Sequence, residues 1–421
     1  MYKISKVSIS GFWQKFSVES TFKDEVNIVI GKNGTGKTTF MNILYAVLAA
    51  DIESLFENEF SAVVIKLSDG KKWKTIKAEK HESSELPFPI VSYKISTRKF
   101  SLPIFGGDDI RALPMSMRRR AAEEASKVKQ ELTRLVSLAS LSVYRIGSDN
   151  DPDTRERASK RTLSPVDSRL ASLMQRLTHY QLELSTKARD VASRLQRDVL
   201  ISLLYEKDKA KEPSFTLSFD ETAERNRLIA AYKQLGVSGA DITKKIHDHT
   251  FAISNATSKF RESLKDSNID SSIDFSPFEA WTRTSRVIAL SLDAEKATNL
   301  IFQQIDKFLK ILKVFIADKT FVFSSGDLQI SGNGDITVSR LSSGEKQLLI
   351  LFIEALLQRQ QPYIFLADEP ELSLHIAWQR NIIPAIREIN PNAQIIVATH
   401  SPEVASKFMQ SVIDMEDIRH V

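Results

Sequence analysis

The sequence predicts an α/β fold: a parallel-sheet core with an antiparallel β lobe, interrupted by a helical or short coiled-coil insertion. Three observations lead there. Short strands of alternating apolar and polar residues crowd residues 1–112. Glycine becomes scarce and the pattern turns helical across 113–320. Strand-helix-strand alternation then returns in 321–421, and such alternation implies a parallel sheet with helices on its faces. The core is expected to begin in the first region and to close in the last.

The elements follow in order. "YKISKVSIS", "FSVESTF", "EVNIVIG", "SAVVIKLS" and "WKTIKAEK" read as strands, and "GKTTFMNILYAVLAA" as a helix opening at Gly36. In the second region a stretch near 141–147, "SVYRI" with its neighbours, reads as a strand returning to the core, and "GSDNDPDTRER" as a mobile charged loop. From Val166 apolar residues recur at Leu170, Leu173, Leu177, Tyr180, Leu184, Ala188, Val191 and Leu195. Their steps of four and three mark a long amphipathic helix. The stretch from Phe278 to Ile316 is its natural antiparallel partner, and so short a heptad series favours a small bundle or stubby arm over a rod. "TFVFSSGDLQISGNGDITVSRL" reads as hairpin strands, followed by a buried helix over 345–358, the strand "YIFLA", a helix and the strand "QIIVAT".

Composition excludes several functions. With no cysteine there is no structural disulfide, thiol nucleophile or cysteine-ligated metal. The first residues lack a leader's apolar stretch and no apolar run is long enough to span a bilayer, so a cytoplasmic protein without a membrane partner is expected. A net charge of +5 is compatible with a DNA partner. The basic run Arg118-Arg119-Arg120 could touch phosphates, although it reads first as a solvated helix face.

The chemistry lies in four short stretches. Gly31-Lys32-Asn33-Gly34-Thr35-Gly36-Lys37-Thr38, followed by Thr39, is a full phosphate-binding loop between an apolar strand and a helix. Its glycines let backbone N–H groups turn toward phosphate oxygens, and the helix N-terminus adds a favourable field. Lys37 would neutralise β- and γ-phosphates, Thr38 would ligate Mg2+, and Thr39 would bond the α-phosphate. In "YIFLADEPELSLH" an apolar strand ends in two acids. Asp368 would hold the Mg2+ shell, leaving Glu369 to orient or deprotonate the attacking water. His400 follows another apolar strand, at the end where open α/β sheets bind ligands, and could bond a γ-phosphate. His375 reads as a loop or interface residue. Finally, Ser342-Ser343-Gly344 opens the buried helix with hydroxyls, N–H groups and a helix dipole. Taken alone it reads as an ordinary N-cap, with Glu345 closing a capping box.

Taken in order these stretches resemble the ABC-type ATPases, P-loop NTPases of the SMC, RecF and OLD-like branch. "GKNGTGKTT" matches Walker A, "LSSGEKQ" the signature, "LADEPE" Walker B, "LSLH" the D-loop and "ATHS" the switch histidine. The resemblance covers residues 1–105 and 320–421 and leaves the helical middle uncovered. It implies an ABC-type head that binds ATP and Mg2+ and hydrolyses ATP as a homodimer or higher homo-oligomer. Ser342 and Gly344, with Ser343 between them, would contact ATP held by Lys37 of a second copy, while Lys37, Thr38, Asp368, Glu369 and His400 act in cis. Ser343 and Glu345 depart from the Leu-Ser-Gly-Gly-Gln of transporters in a way familiar in this branch. A Q-loop glutamine is not identifiable, since Gln130 falls inside a helix, and Trp13 and Phe16 are candidates for the adenine contact.

OLD-like relatives often carry a nuclease after the ATPase. Only a short tail follows His400, so any nuclease is expected on a separate polypeptide, as in two-component anti-phage systems. The alternatives are a RecF-like repair or chromosome-maintenance ATPase binding DNA directly and, less in keeping with "EPELSLH", the ATP-binding subunit of a membrane transporter.

Overall fold

Apolar runs from opposite ends of the sequence become neighbouring strands. The computed structural model describes residues 1–82, 88–106, 114–142, 164–202, 219–265, 274–331 and 337–420. The chain begins with β1 (Lys3–Phe12), β2 (Phe16–Thr21), β3 (Val26–Ile30), α1 (Lys37–Ala49) and α2 (Ile52–Glu57). Next come β4 (Ala62–Ser68), β5 (Trp73–His81), β6 (Ile90–Ile95), β7 (Arg98–Pro103), α3 (Met115–Leu135) and β8 (Leu138–Ser142). Among the described residues four helices follow: α4 (Pro165–Ser202), α5 (Glu221–Gln234), α6 (Ala240–Lys265) and α7 (Ser276–Phe315). The last third holds β9 (Thr320–Ser324), β10 (Asp327–Ser331), α8 (Ser343–Leu357), β11 (Ile364–Asp368), α9 (Ile376–Gln379) and α10 (Ile382–Ile389). It ends with β12 (Gln394–Ala398), α11 (Pro402–Ala405), β13 (Val412–Asp414), α12 (Met415–Ile418) and β14 (Arg419–His420).

These elements form two compact units, residues 1–178 with 304–421 and residues 179–303, whose boundary falls inside α4 and α7. In the first unit the parallel sheet has the order β13-β3-β12-β11-β8, with every neighbouring pair parallel. The strands β3, β11 and β12 are buried almost throughout, as continuous apolar runs covered on both faces should be. A second sheet, order β14-β2-β1-β4-β5-β6-β7, pairs antiparallel throughout. Burial alternates along β4 and β6, so one face packs on the core and the other meets solvent. Side chains of α1 fill the same core cluster, and the buried Tyr93 hydroxyl of β6 donates to the Val47 carbonyl of α1 at 3.1 Å.

The returning strand is β8, Leu138–Ser142, in register with β11 from Leu138 opposite Ile364 to Ser142 opposite Asp368. It overlaps the start of the stretch expected near 141–147. The rest of that stretch and the charged loop after it lie outside the described residues, as does the Gly-Asn-Gly turn at 332–334. The hairpin β9–β10 turns at Ser325 and Gly326, both with positive φ. Residues Leu348–Leu356 of α8 are all buried, so this helix is enclosed on every side. That enclosure takes in Glu354, whose carboxylate meets Arg169 at 3.2 Å and Arg176 at 3.8 Å. A charge so deep needs such partners, and removing them costs about 3–5 kcal/mol.

The second unit is helical. Leu228, Ala231, Ile246 and Ile288 make a small core between α5, α6 and α7. Around it the Trp281 indole donates to Glu224 at 3.2 Å and His249 meets the Thr284 hydroxyl at 3.3 Å. Of the heptad residues of α4, Leu170, Leu173, Leu177, Tyr180, Leu184 and Leu195 are buried and Ala188 and Val191 half-buried.

Candidate functional site

Because β3, β12 and β11 are consecutive parallel neighbours, the segments after their carboxyl ends lie side by side. After β3 comes Gly31–Thr39, after β12 Thr399–Ser401, and after β11 Glu369–His375. Two further backbone bonds knit these ends. The Glu369 amide donates to the Ala398 carbonyl at 2.8 Å and the Thr399 amide to that of Val29 at 3.1 Å.

The loop folds as its glycines permit. Gly36, at φ +100°, is the N-cap of α1 and lies so close to the Phe12 ring that a Cβ would stand 2.8 Å from it. Only glycine satisfies both conditions. Lys32, Asn33, Gly34 and Thr38 are exposed, Gly31 and Thr39 half-buried, and Thr35 and Lys37 buried. The Lys37 ammonium donates to the carbonyls of Gly31 at 2.8 Å and Lys32 at 3.1 Å. Burial lowers its pKa, against the charges of Glu369, Asp368 and Asp414.

The acids and the histidine gather opposite this loop. Burial raises the Asp368 carboxyl; Thr38 opposes that rise, the Glu369 charge adds to it, and Lys37 and His400 oppose it further. Asp368 Oδ1 is buried and, among the described residues, has no hydrogen-bond partner. An orphaned carboxylate oxygen beside the Thr38 hydroxyl suits a hard cation such as Mg2+, which takes oxygen ligands and keeps places for phosphate and water. Among the described residues no cluster of three His, Asp or Glu side chains could hold a metal, so this oxygen pair would need a nucleotide to complete a cation's shell. Glu369, at φ +47°, aims its carboxylate at His400, with Nε2 3.6 Å from Oε1.

The Ser342–Gly344 stretch belongs elsewhere. Among the described residues no hydrogen bond or ion pair joins it to 31–39. It packs on the turn after β11: a Cβ at Gly344 would meet the Ser373 carbonyl oxygen at 2.6 Å, and Gln347 donates to the Pro370 carbonyl at 3.2 Å. The capping box is present, with the Ser342 hydroxyl accepting from the Glu345 amide and the Ser342 amide donating to the Glu345 carboxylate. Ser342 and Ser343 are exposed, and accepting that bond leaves the Ser342 O–H able to donate. Lys319 grips Glu345 at 2.6 Å and Asp167 grips Lys346 at 2.7 Å.

Other sequence candidates find their places. His375 is the exposed N-cap of α9, accepting from the Ala377 amide. Gln130 is exposed on α3. Trp13 and Phe12 rings crowd Gly36, and Phe16 lies under the Arg419 guanidinium, 4.7 Å from its ring centre, while Arg419 also donates to the Thr35 carbonyl. One residue that sequence reasoning passed over stands out. Glu371 is buried beneath the loop after β12 and accepts hydrogen bonds from Thr399, His400 and Ser401.

A family model described as an AAA ATPase domain matches residues 2–405. The chain belongs to that family. Among curated proteins it is similar to the Retron Vc95 probable ATPase of Vibrio cholerae, 23% identical over 93% of this chain and 69% of that protein. It is 41% identical to the Retron Ec83 probable ATPase of Escherichia coli over 17% of this chain and 15% of that one. It is 37% identical to the Septu protein PtuA of Bacillus thuringiensis over 21% of this chain and 27% of that one. The last two matches thus span well under half of those relatives. Among solved structures, the Smc head domain of Pyrococcus furiosus bound to the C-terminal domain of ScpA aligns over 98% of this chain and 93% of that one, at 14% identity and a TM-score of 0.44. Among the described residues no helix is long and apolar enough to cross a membrane.

Proposed function

We propose that the chain binds ATP with Mg2+ on the Gly31–Thr39 loop and hydrolyses it as a homodimer or higher homo-oligomer. The cycle would switch or scaffold a separate effector, a nuclease, in bacterial anti-phage defence. The observation that carries this reading is the division of the site. Lys37, Thr38, Asp368, Glu369 and His400 converge, whereas the exposed Ser342 and Ser343 are tied to the D-loop and have no phosphate-binding partner in their own chain among the described residues. A second copy would supply one. The likeness to retron ATPases and to the Septu protein supports the defence setting.

In this scheme loop amides and Lys37 hold the β- and γ-phosphates. Mg2+, held by Thr38 and Asp368, would neutralise phosphate oxygens when bound. Glu369 takes the proton of the attacking water as its oxygen bonds to the γ-phosphorus. The bond from that phosphorus to the bridging oxygen breaks, and ADP leaves with the oxygen. His400 and the partner's serines donate to the γ-phosphate. Glu369→Gln should keep ATP binding, slow turnover by at least about 100-fold, and accumulate an ATP-bound oligomer in light scattering. A variant that turns over normally, or binds ATP without assembling, would sink the scheme.

A specific observation favours a second reading, direct binding of DNA. On the solvent face of the antiparallel sheet Lys77 stands opposite Lys94 and Lys94 opposite Lys99, and Lys6 stands opposite Lys66. Directly opposed like charges destabilise a sheet. Lys6 and Lys77 have carboxylate neighbours, but Lys66, Lys94 and Lys99 have no ion-pair partner among the described residues. Polyphosphate would relieve this. In the basic run, by contrast, Arg119 is already paired with Glu123. If duplex DNA binds here, replacing Lys66, Lys94 and Lys99 by alanine should flatten the salt dependence of binding, by a slope of about 0.9 for each phosphate no longer neutralised. An unchanged slope in a fluorescence-anisotropy titration would remove this reading.

A further inference from the structure

Glu371 is a buried carboxylate for which the proposed chemistry has no use. It lies in the turn after Walker B, where the Leu372 amide donates to the Glu369 carbonyl at 3.1 Å and the Leu374 amide to that of Glu371 at 2.9 Å. Its Oε1 receives three donors from consecutive residues of a different segment: the Thr399 hydroxyl, the His400 amide at 3.2 Å and the Ser401 amide at 3.3 Å. The Thr399 hydroxyl also accepts from the Ser401 amide at 2.9 Å, closing a small ring of bonds. Among the described residues Oε2 is buried without a hydrogen-bond partner, so the bonds to Oε1 fix where the side chain sits.

We infer that Glu371 is a positioning residue that fastens the His400 loop to the D-loop turn and thereby sets His400 against Glu369. The inference rests on the reading of this site as an ATP-hydrolysing one. Three features carry it. Burying a carboxylate is costly unless its bonds recover the loss, and among the described residues the donors it receives from other residues all belong to one loop. The Glu369–Ser373 turn is bounded by two residues in the left-handed region, at φ +47° and +67°, a conformation that persists only where the surroundings impose it. The fastened loop carries His400, whose ring lies 3.6 Å from Glu369. Burial also pushes the Glu371 carboxyl up, against the bonds from Thr399, its own amide, His400 and Ser401. A glutamine keeps an acceptor oxygen in the same place.

Three variants test this in the full chain: Glu371→Ala, Glu371→Gln and Thr399→Val. Glu371→Ala should lower kcat by about 10- to 100-fold, the scale of a misplaced catalytic group, while KM for ATP moves less than about threefold. Glu371→Gln should keep most of the activity. Thr399→Val, which removes one of the donors, should lose about three- to tenfold. Amide hydrogen exchange at His400 and Ser401, measured without nucleotide, should speed up in Glu371→Ala and stay slow in Glu371→Gln. A kcat for Glu371→Ala within about twofold of wild type would overturn the inference, as would a glutamine variant as slow as the alanine one. Should Glu371→Ala not fold, Thr399→Val carries the test, and full activity there overturns it. A wild-type chain without ATPase activity would defeat the ATPase reading itself; unchanged exchange at His400 and Ser401 in Glu371→Ala would then separately defeat the fastening.

Discussion

Two helices of this chain begin where a phosphate could bind, and they begin in opposite ways. Helix α1 opens on Gly36, in the left-handed region, with no side-chain cap and no acid in its first turn. Helix α8 opens on Ser342 in extended conformation, with a complete capping box and Glu345 in the first turn. The N-terminal amides of α1 are therefore free of side-chain competitors, while in α8 the box occupies the Ser342 and Glu345 amides. A helix start that leaves its donors exposed is an anion cradle in itself. A capped one has part of its donors occupied and offers an anion its exposed hydroxyls and the amides that the box leaves over. On the proposed reading the first is a site in itself and the second is half of one.

Several variants would break or sharpen that contrast. The largest effect is expected at the cradle, where Lys37→Ala should reduce ATP turnover by at least about 100-fold. Ser343→Glu should be comparably inactive for a different reason, since Ser343 is exposed and a carboxylate there would repel the phosphates of a second copy. If the halves are complementary, mixing the two dead variants should restore about a quarter of wild-type turnover in a random dimer, because half the dimers carry one intact site. No recovery on mixing would mean the two starts do not share a nucleotide. A smaller effect is expected at the cap. Ser342→Ala should lower stability by about 1 kcal/mol, read from thermal melts, and cut turnover without weakening ATP binding to the isolated chain.

The smallest effect is expected at Glu345. Burial alone would raise its carboxyl, yet Lys319 and Ser342 hold it below the ordinary value of 4.5. A depressed folded pKa contributes stability above the unfolded value and loses it as pH falls through the folded one. Glu345→Gln should therefore cost about 1 kcal/mol or less near neutrality and nothing once the pH is well below that ordinary value. A deficit that persists in acid would show that the Lys319 pair is not its source.

Much of this was legible in the sequence for a simple reason. Lys37, Asp368 and His400 each sit at or just beyond the end of an apolar run, and a parallel sheet brings such ends together whatever the rest of the chain does. The heptad of α4 was legible for the same local reason, because burial follows periodicity. Pairings between distant segments were not. Glu371 reads as one more acid in an acidic turn until β12 places Thr399 above it. The partners Arg169 of Glu354, Lys319 of Glu345 and Asp167 of Lys346 are separated from them by tens to hundreds of residues, and no spacing rule links them. The opposed lysines of β5, β6 and β7 are equally invisible, since only strand register sets them face to face.

One buried side chain bears on how the site can move. Gln394, at the start of β12, is fully enclosed. Its oxygen accepts from the Ile4 amide at 2.7 Å, and its nitrogen donates to the carbonyls of Ile4 at 2.7 Å and Lys23 at 2.9 Å. It acts as a rivet between the two sheets, an amide that substitutes for a missing stretch of backbone. Withdrawing it would strand buried donors and acceptors at about 1–3 kcal/mol apiece. Strand β12 is therefore pinned at its root, and any stroke of His400 has to be made by the loop beyond its tip rather than by a sliding strand.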